Sequence, residues 1–174
     1  KAWCSDLGVA MTSIGVQVHG GMGYVEEAGA AQHYRDARIT PIYEGTNGIQ
    51  AIDLVMRQLP MNEGAVARSY LDELASLDSP LASSNDPRLS VMREALSPAV
   101  AALREATEWL ISREDPNDRL AGASPYLDMF GTVAGGAYLM RMALAAAAEE
   151  RDAWLDAKID TAAFYAHQIL PRAA

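Results

Sequence analysis

The sequence of 174 residues holds a single cysteine, Cys4, which excludes an intrachain disulfide and a multi-thiolate metal centre. A lone thiol fits a reducing compartment, and the cytoplasm is the expected location. His19 and His33 have no carboxylate or thiolate partners at metal-ligand spacing, so no metal site is expected. Basic residues are in the minority, 14 Lys and Arg against 23 Asp and Glu for a net charge of −9, and they do not cluster. That balance excludes a phosphate-backbone partner, which needs grouped cations to release counterions. The longest alanine-rich run, residues 142–148, is far short of the ~20 apolar residues that cross a bilayer, so no membrane span is expected. The first residues show no initiator Met, no basic segment followed by an apolar one and no Arg-rich presequence, and Lys1 reads as a cut edge rather than a targeting signal.

Strand signals are also missing: no alternating run of β-branched residues is bounded by hairpin turns. What is present instead is alanine, the strongest helix former and the commonest residue here, and the fold expected is all-α, a helical bundle. Composition divides the chain near residue 60. Residues 1–60 hold eight of the 13 glycines, two of the three histidines and nearly balanced charge, whereas residues 61–174 carry most of the acid excess. The first part reads as a site-bearing segment and the second as solvated helical scaffold.

Periodicity and punctuation predict a helix over 2–19, stopped by Gly20-Gly21-Met22-Gly23, then a loop to about Ala28 and a short helix over 28–37. Residues 39–42 read as an extended link, because Pro41 disfavours a helical Thr40. Ile49, Ile52, Val55 and Leu59 predict a helix from Glu44 or Gly45 to Leu59, closed by Pro60. Further on, helices are predicted over 63–77, 87–113, from 116 or 124 to 150, and 152–170. A polar loop covers 78–87 with Asp86 as N-cap and Pro87 as first helical residue, and a turn covers 114–118. Pro98 predicts a kink, and Gly131, Ala134, Gly135 and Ala137 a close helix approach. Leu155, Ile159, Ala162, Ala166 and Ile169 form a stripe that must be buried, so residues 61–174 should be an antiparallel bundle of three or four helices.

Glu44 is the carboxylate that departs from an ordinary surface position. It follows the Pro41 link and Tyr43 and precedes Gly45-Thr46 at the mouth of a helix. There it either complements the helix dipole, worth under ~1 kcal/mol if exposed, or serves as a general base beside an apolar pocket. Gly20-Gly21 is equally open: a helix stop, or a place where backbone amides approach a pyrophosphate without a side chain in the way.

Three runs in order, Val16-Gln17-Val18-His19-Gly20-Gly21-Met22-Gly23-Tyr24, Tyr34-Arg35-Asp36-Ala37-Arg38 and Ile42-Tyr43-Glu44-Gly45-Thr46-Asn47-Gly48-Ile49-Gln50, resemble the closing part of the acyl-CoA dehydrogenase family. Residues 64–174 resemble an extra helical C-terminal module carried by longer family members. The resemblance implies an FAD-dependent oxidoreductase acting on an acyl-CoA thioester. In it Glu44 takes the α-proton while the β-hydrogen leaves as hydride to flavin N5, with Tyr43 and Gly45 against the substrate. Gln17, Gly20 and Gly21 match the stretch that reaches the FAD of a neighbouring subunit, and Thr46 a position near the same cofactor. It also implies a homo-oligomer, an electron-transfer acceptor for the reduced flavin, and preceding domains that supply most of the flavin and CoA contacts. The chain alone is therefore expected to be inactive. Arg35, Asp36 and Arg38 are expected to form a structural ion-pair set. The competing reading makes residues 61–174 a non-catalytic helical interaction or oligomerisation module of a flavoprotein.

Overall fold

The structure, a computed structural model, describes residues 1–150 and 152–173. It is all-α, with helices and short helical turns and, among the described residues, no strand. The chain forms two compact units, Lys1–Leu54 and Val55–Ala174.

In the first unit, α1 (Ala2–Val18) packs on α3 (Ala30–Ala37) and α4 (Asn47–Asp53). The glycine cluster ends α1 at Gly20, whose φ is 61°, but it does not leave a loop. A helical turn, α2 (Gly21–Tyr24), and a 3-10 turn (Glu26–Ala28) follow directly. Gly23 permits this, since its missing side chain lets α2 lie against the Val16 carbonyl of α1. The extended link expected over 39–42 is instead a set of tight turns. The amides of Ile42 and Tyr43 both donate to the Ile39 carbonyl, and the Thr40 hydroxyl donates to the Ala37 carbonyl at 2.8 Å. Turn hydrogen bonds thus satisfy the backbone around Pro41 within the segment. Helix α4 starts two or three residues later than its apolar spacing predicts, because Glu44 and Gly45 both hold positive φ. It ends early as well, passing into a π-helical turn over Leu54–Gln58.

The second unit is built on α5 (Ala65–Ala75), α6 (Asp78–Ala82), α7 (Pro87–Ser112), α8 (Pro116–Ala121), α9 (Ala123–Ala148) and α10 (Ala153–Gln168). Helix α6 falls where a polar loop is predicted, whereas α8 takes the earlier of the two predicted starts, Pro116, and is separated from α9 at Gly122. Pro80 and Pro116 lie in the first turn of each, where a missing N–H costs nothing. Asp86, Asp115 and Asp152 cap α7, α8 and α10 by accepting from Arg88, Asn117 and Leu155 amides. Helix α7 stays one element across Pro98.

Helices α7, α9 and α10 pack mutually, and α5 and α6 cover α7. Leu71, Leu74, Leu89, Met92, Leu103, Met140 and Ile159 are fully buried between them. Each such side chain contributes about 1.5–3 kcal/mol relative to exposure, which is what holds the unit together. A close approach on α9 falls at Gly136, next to the predicted Ala137, which is buried. A Cβ at 136 would come 3.1 Å from Tyr165 and 3.3 Å from Leu170, because the buried face follows Val133, Gly136, Ala137, Met140 and Ala143. By length and composition α9 is apolar enough to cross a membrane. The predicted limit of residues 142–148 overlooked its small and aromatic residues from Ala123 onward, and here one face of the helix packs in the bundle core.

Polar contacts fix the helix register. Thr107 donates to the Leu103 carbonyl and so accepts from the buried Tyr126 hydroxyl at 2.7 Å, and burial pushes the Tyr126 pKa up to about 12, keeping that donor protonated. Arg88 reaches Asp86, Asp156 and Asp160, joining α7 to α10. Arg68 on α5 pairs in bidentate fashion with Glu108 on α7, at 2.6 and 2.7 Å, and holds the Glu108 carboxyl below its usual range. A depressed carboxylate pKa adds stability that is complete above the unfolded value and is lost as pH falls through the folded one. Unfolding free energy should therefore drop as pH falls below about 4.5. Denaturant titrations of Glu108→Gln should show a shallower acid loss, modest because the pair is half-exposed.

Candidate active site

The segment from Pro41 to Asn47 is a closed loop: the Asn47 amide donates to the Pro41 carbonyl at 3.0 Å. At its tip Glu44 has φ 53° and Gly45 φ 80°. A glutamate in the left-handed region costs about 1–2 kcal/mol, and glycine carries the second such residue without that cost. Two consecutive left-handed residues turn the chain sharply into Thr46, the N-cap residue of α4.

Hydrogen bonds hold both carbonyls of the strained pair. The Gln50 side-chain amide donates to the Glu44 carbonyl at 3.2 Å, and Lys1 Nζ donates to the Gly45 carbonyl at 2.9 Å. Lys1 Nζ also donates to Asn47 Oδ1 at 2.7 Å. Asn47 Nδ2 lies 2.7 Å from Asp6 Oδ1, 2.9 Å from Ser5 Oγ and 3.1 Å from the Ala2 carbonyl. The loop is thereby fastened to the first turn of α1. Glu44 and Tyr43 line a cleft of about 410 Å³ whose other wall is Cys4, Gly8 and Thr12 of α1, with Thr40 at its edge. Small side chains on α1 leave the space beside Glu44.

Tyr43, Glu44, Gly45 and Thr46 thus sit together on one loop at the N-terminal end of α1, all exposed. Gln17, Gly20 and Gly21 lie at the opposite end of the same helix. Its 17 residues at 1.5 Å each separate the two groups by roughly 25 Å. A Cβ added at Gly20 or Gly21 would meet nothing within 4 Å, so that backbone is open to an approaching ligand. Arg35 pairs with Glu26 at 3.1 Å on the surface, so the expected ion-pair set reaches back to the turn before α3 rather than closing on Asp36. The side chains of such a run point to different sides of a short helix. His19 Nδ1 contacts the Gly15 carbonyl. Among the described residues no three His, Cys, Asp or Glu side chains are grouped to hold a metal ion.

Sequence reasoning missed Lys1, Ser5, Asn47 and Gln50 as supports of this loop. Gln50 lies one turn after the N-cap, a local signal that was readable. The partners of Asn47 are more than 40 positions away and have no signature in a single sequence.

Comparison with known proteins gives the class of this all-α chain. Residues 64–174 match the family described as acetyl-CoA dehydrogenase C-terminal like, and residues 1–59 match the acyl-CoA dehydrogenase C-terminal domain. The chain belongs to the acyl-CoA dehydrogenase family. It is 42% identical to 3-methylmercaptopropionyl-CoA dehydrogenase of Ruegeria pomeroyi, over 98% of this chain and 30% of that protein. A butyryl-CoA dehydrogenase of Syntrophomonas wolfei is 31% identical over 98% of this chain and 29% of its own length. The human mitochondrial short-chain specific acyl-CoA dehydrogenase is 52% identical over 70 residues, 40% of this chain and 15% of that protein. The chain spans about 30% of the length of the first of these relatives.

Proposed function

We propose that the full-length protein is an FAD-dependent acyl-CoA dehydrogenase and that Glu44 is the base that removes the substrate α-proton. The observation that carries this reading is the left-handed Glu44 on a loop held by Gln50, Lys1 and Asn47 in front of a cleft. Backbone strain of this kind persists only where surrounding bonds enforce it, and it gathers at sites of chemistry. A thioester α-carbon is a weak acid, so its base must be fixed about 3–3.5 Å away in a site that excludes water. Glu44 supplies the carboxylate, the adjoining backbone its orientation, and Gly45 close access. The open backbone of Gly20 and Gly21 with Gln17 fits a pyrophosphate, and Thr46 lies next to the base loop. When bound, FAD supplies the acceptor for the hydride leaving the β-carbon.

The separation of roughly 25 Å along α1 supports a homo-oligomer in which the Gly20 end serves a neighbouring subunit's cofactor while the Glu44 end serves its own substrate. The exposed stripe of Leu7, Met11, Ile14 and Val18 fits coverage by the rest of such an assembly. An electron-transfer partner reoxidises the flavin. The exposed rings of Trp154 and Phe164 support a second reading for residues 61–174, a surface for interaction or oligomerisation without chemistry of its own.

A short acyl-CoA is the substrate class, with 3-methylmercaptopropionyl-CoA foremost because the relative of that name aligns along 98% of the chain. The test is turnover of a panel of acyl-CoA thioesters by the full-length protein with an artificial electron acceptor. Enoyl-CoA formation from short thioesters is expected. The 174-residue chain alone should retain no yellow flavin and form no product. Stoichiometric flavin in the chain alone, or no oxidation by the full-length protein, contradicts the reading.

A further inference from the structure

We infer that Asn47 is a positioning residue for proton abstraction, acting through Glu44, which rests on the assignment of Glu44 as base. Three observations meet at this side chain. Its backbone amide closes the base loop on the Pro41 carbonyl, three residues before Glu44. Its side-chain amide bonds the first turn of α1 through Asp6, Ser5 and the Ala2 carbonyl. Its side-chain oxygen accepts from Lys1 Nζ, whose other bond is to the Gly45 carbonyl beside the base. One planar amide therefore joins the strained pair to the rigid helix that forms the opposite wall of the cleft.

Relaxation of Glu44 from φ 53° is downhill for a glutamate, so the loop keeps its geometry only while these bonds hold. Asn47 is suited to the task because it offers a donor face to α1 and an acceptor face to Lys1 at once. An aspartate has no donors and would place its carboxylate against Asp6. An alanine drops every side-chain bond while leaving the amide to Pro41 intact. Neither change touches substrate, so the loss should appear in the chemical step and not in binding.

The test uses the full-length flavoprotein with a short acyl-CoA and its α,α-dideuterated form. Asn47→Ala is expected to lower kcat on the order of 10²-fold, the effect of misplacing a reacting group by about 1 Å, with KM within about threefold. The α-deuterium isotope effect on kcat should rise as proton abstraction becomes rate-limiting, while flavin content and thermal midpoint stay near wild type. Asn47→Asp should fall comparably. The double variant Asn47→Asp/Asp6→Asn restores one amide-to-carboxylate bond with the roles exchanged and should recover part of the lost kcat. A kcat within twofold of wild type in Asn47→Ala overturns the inference. So does a loss of kcat that tracks lost flavin or a lowered midpoint, or the absence of any recovery in the swapped pair. Glu44→Gln run in parallel separates the two levels. An active Glu44→Gln removes the base assignment itself, whereas an inactive Glu44→Gln beside an unimpaired Asn47→Ala removes only the role of Asn47.

Discussion

Replacing Glu44 by Gln in the full-length protein should lower enoyl-CoA formation by about 10²–10⁴-fold, the range of a positioned general base. Flavin should be retained, because the substitution is nearly isosteric and the loop is held by backbone carbonyls. Gln50 and Lys1 bond the carbonyls of residues 44 and 45, and neither contacts the Glu44 carboxylate. Loop geometry should thus survive while the proton acceptor disappears. The acyl-CoA should bind with similar affinity, so kcat and kcat/KM should fall together, the pattern of an interaction made only in the transition state. Steady-state kinetics with a flavin spectrum of each preparation check this.

Leu103→Ala should destabilise the second unit by about 2–5 kcal/mol. Leu103 is fully buried on α7, between the buried turns of Leu96 and Leu110, where α9 and α10 also pack. Truncation removes apolar burial and leaves a hole that three helices cannot close without moving one another. Its carbonyl also accepts from Thr107, which in turn accepts from Tyr126, so collapse around the cavity would disturb a buried polar pair as well. Leu120→Ala on the half-exposed α8 is the comparison, expected to cost well under 1 kcal/mol. Urea unfolding midpoints of the two variants measure the difference.

Much of this was legible beforehand. Asp86 before Pro87 names its helix start, because a short acidic side chain bonds the free amides there wherever the rest of the protein lies. In the stripe of Leu155, Ile159, Ala162, Ala166 and Ile169 the middle three are buried as the spacing requires, and Leu155 and Ile169 at its ends are half-buried. Starts set by tertiary strain were not legible. Apolar periodicity carries α4 back to Glu44 or Gly45, yet the helix begins at Asn47, since the loop is pulled to the first turn of α1 by side chains more than 40 residues away. Likewise the contact of Gly136 with Tyr165 and Leu170 was not legible, because only the positions of those side chains on neighbouring elements decide which small residue is pressed. At the site, the residue types of the Tyr-Glu-Gly-Thr run were readable, and their conformation was not. A left-handed Glu44 has no propensity signal, being imposed by Lys1, Asn47 and Gln50.

The central claim is that Glu44 removes the α-proton. Its most direct test is a single turnover: anaerobic mixing of the full-length Glu44→Gln protein with excess short acyl-CoA, following visible flavin absorbance against wild type. Wild type should bleach rapidly, and the variant should stay oxidised over the same period while still binding the thioester. Bleaching of the variant at the wild-type rate would contradict the account.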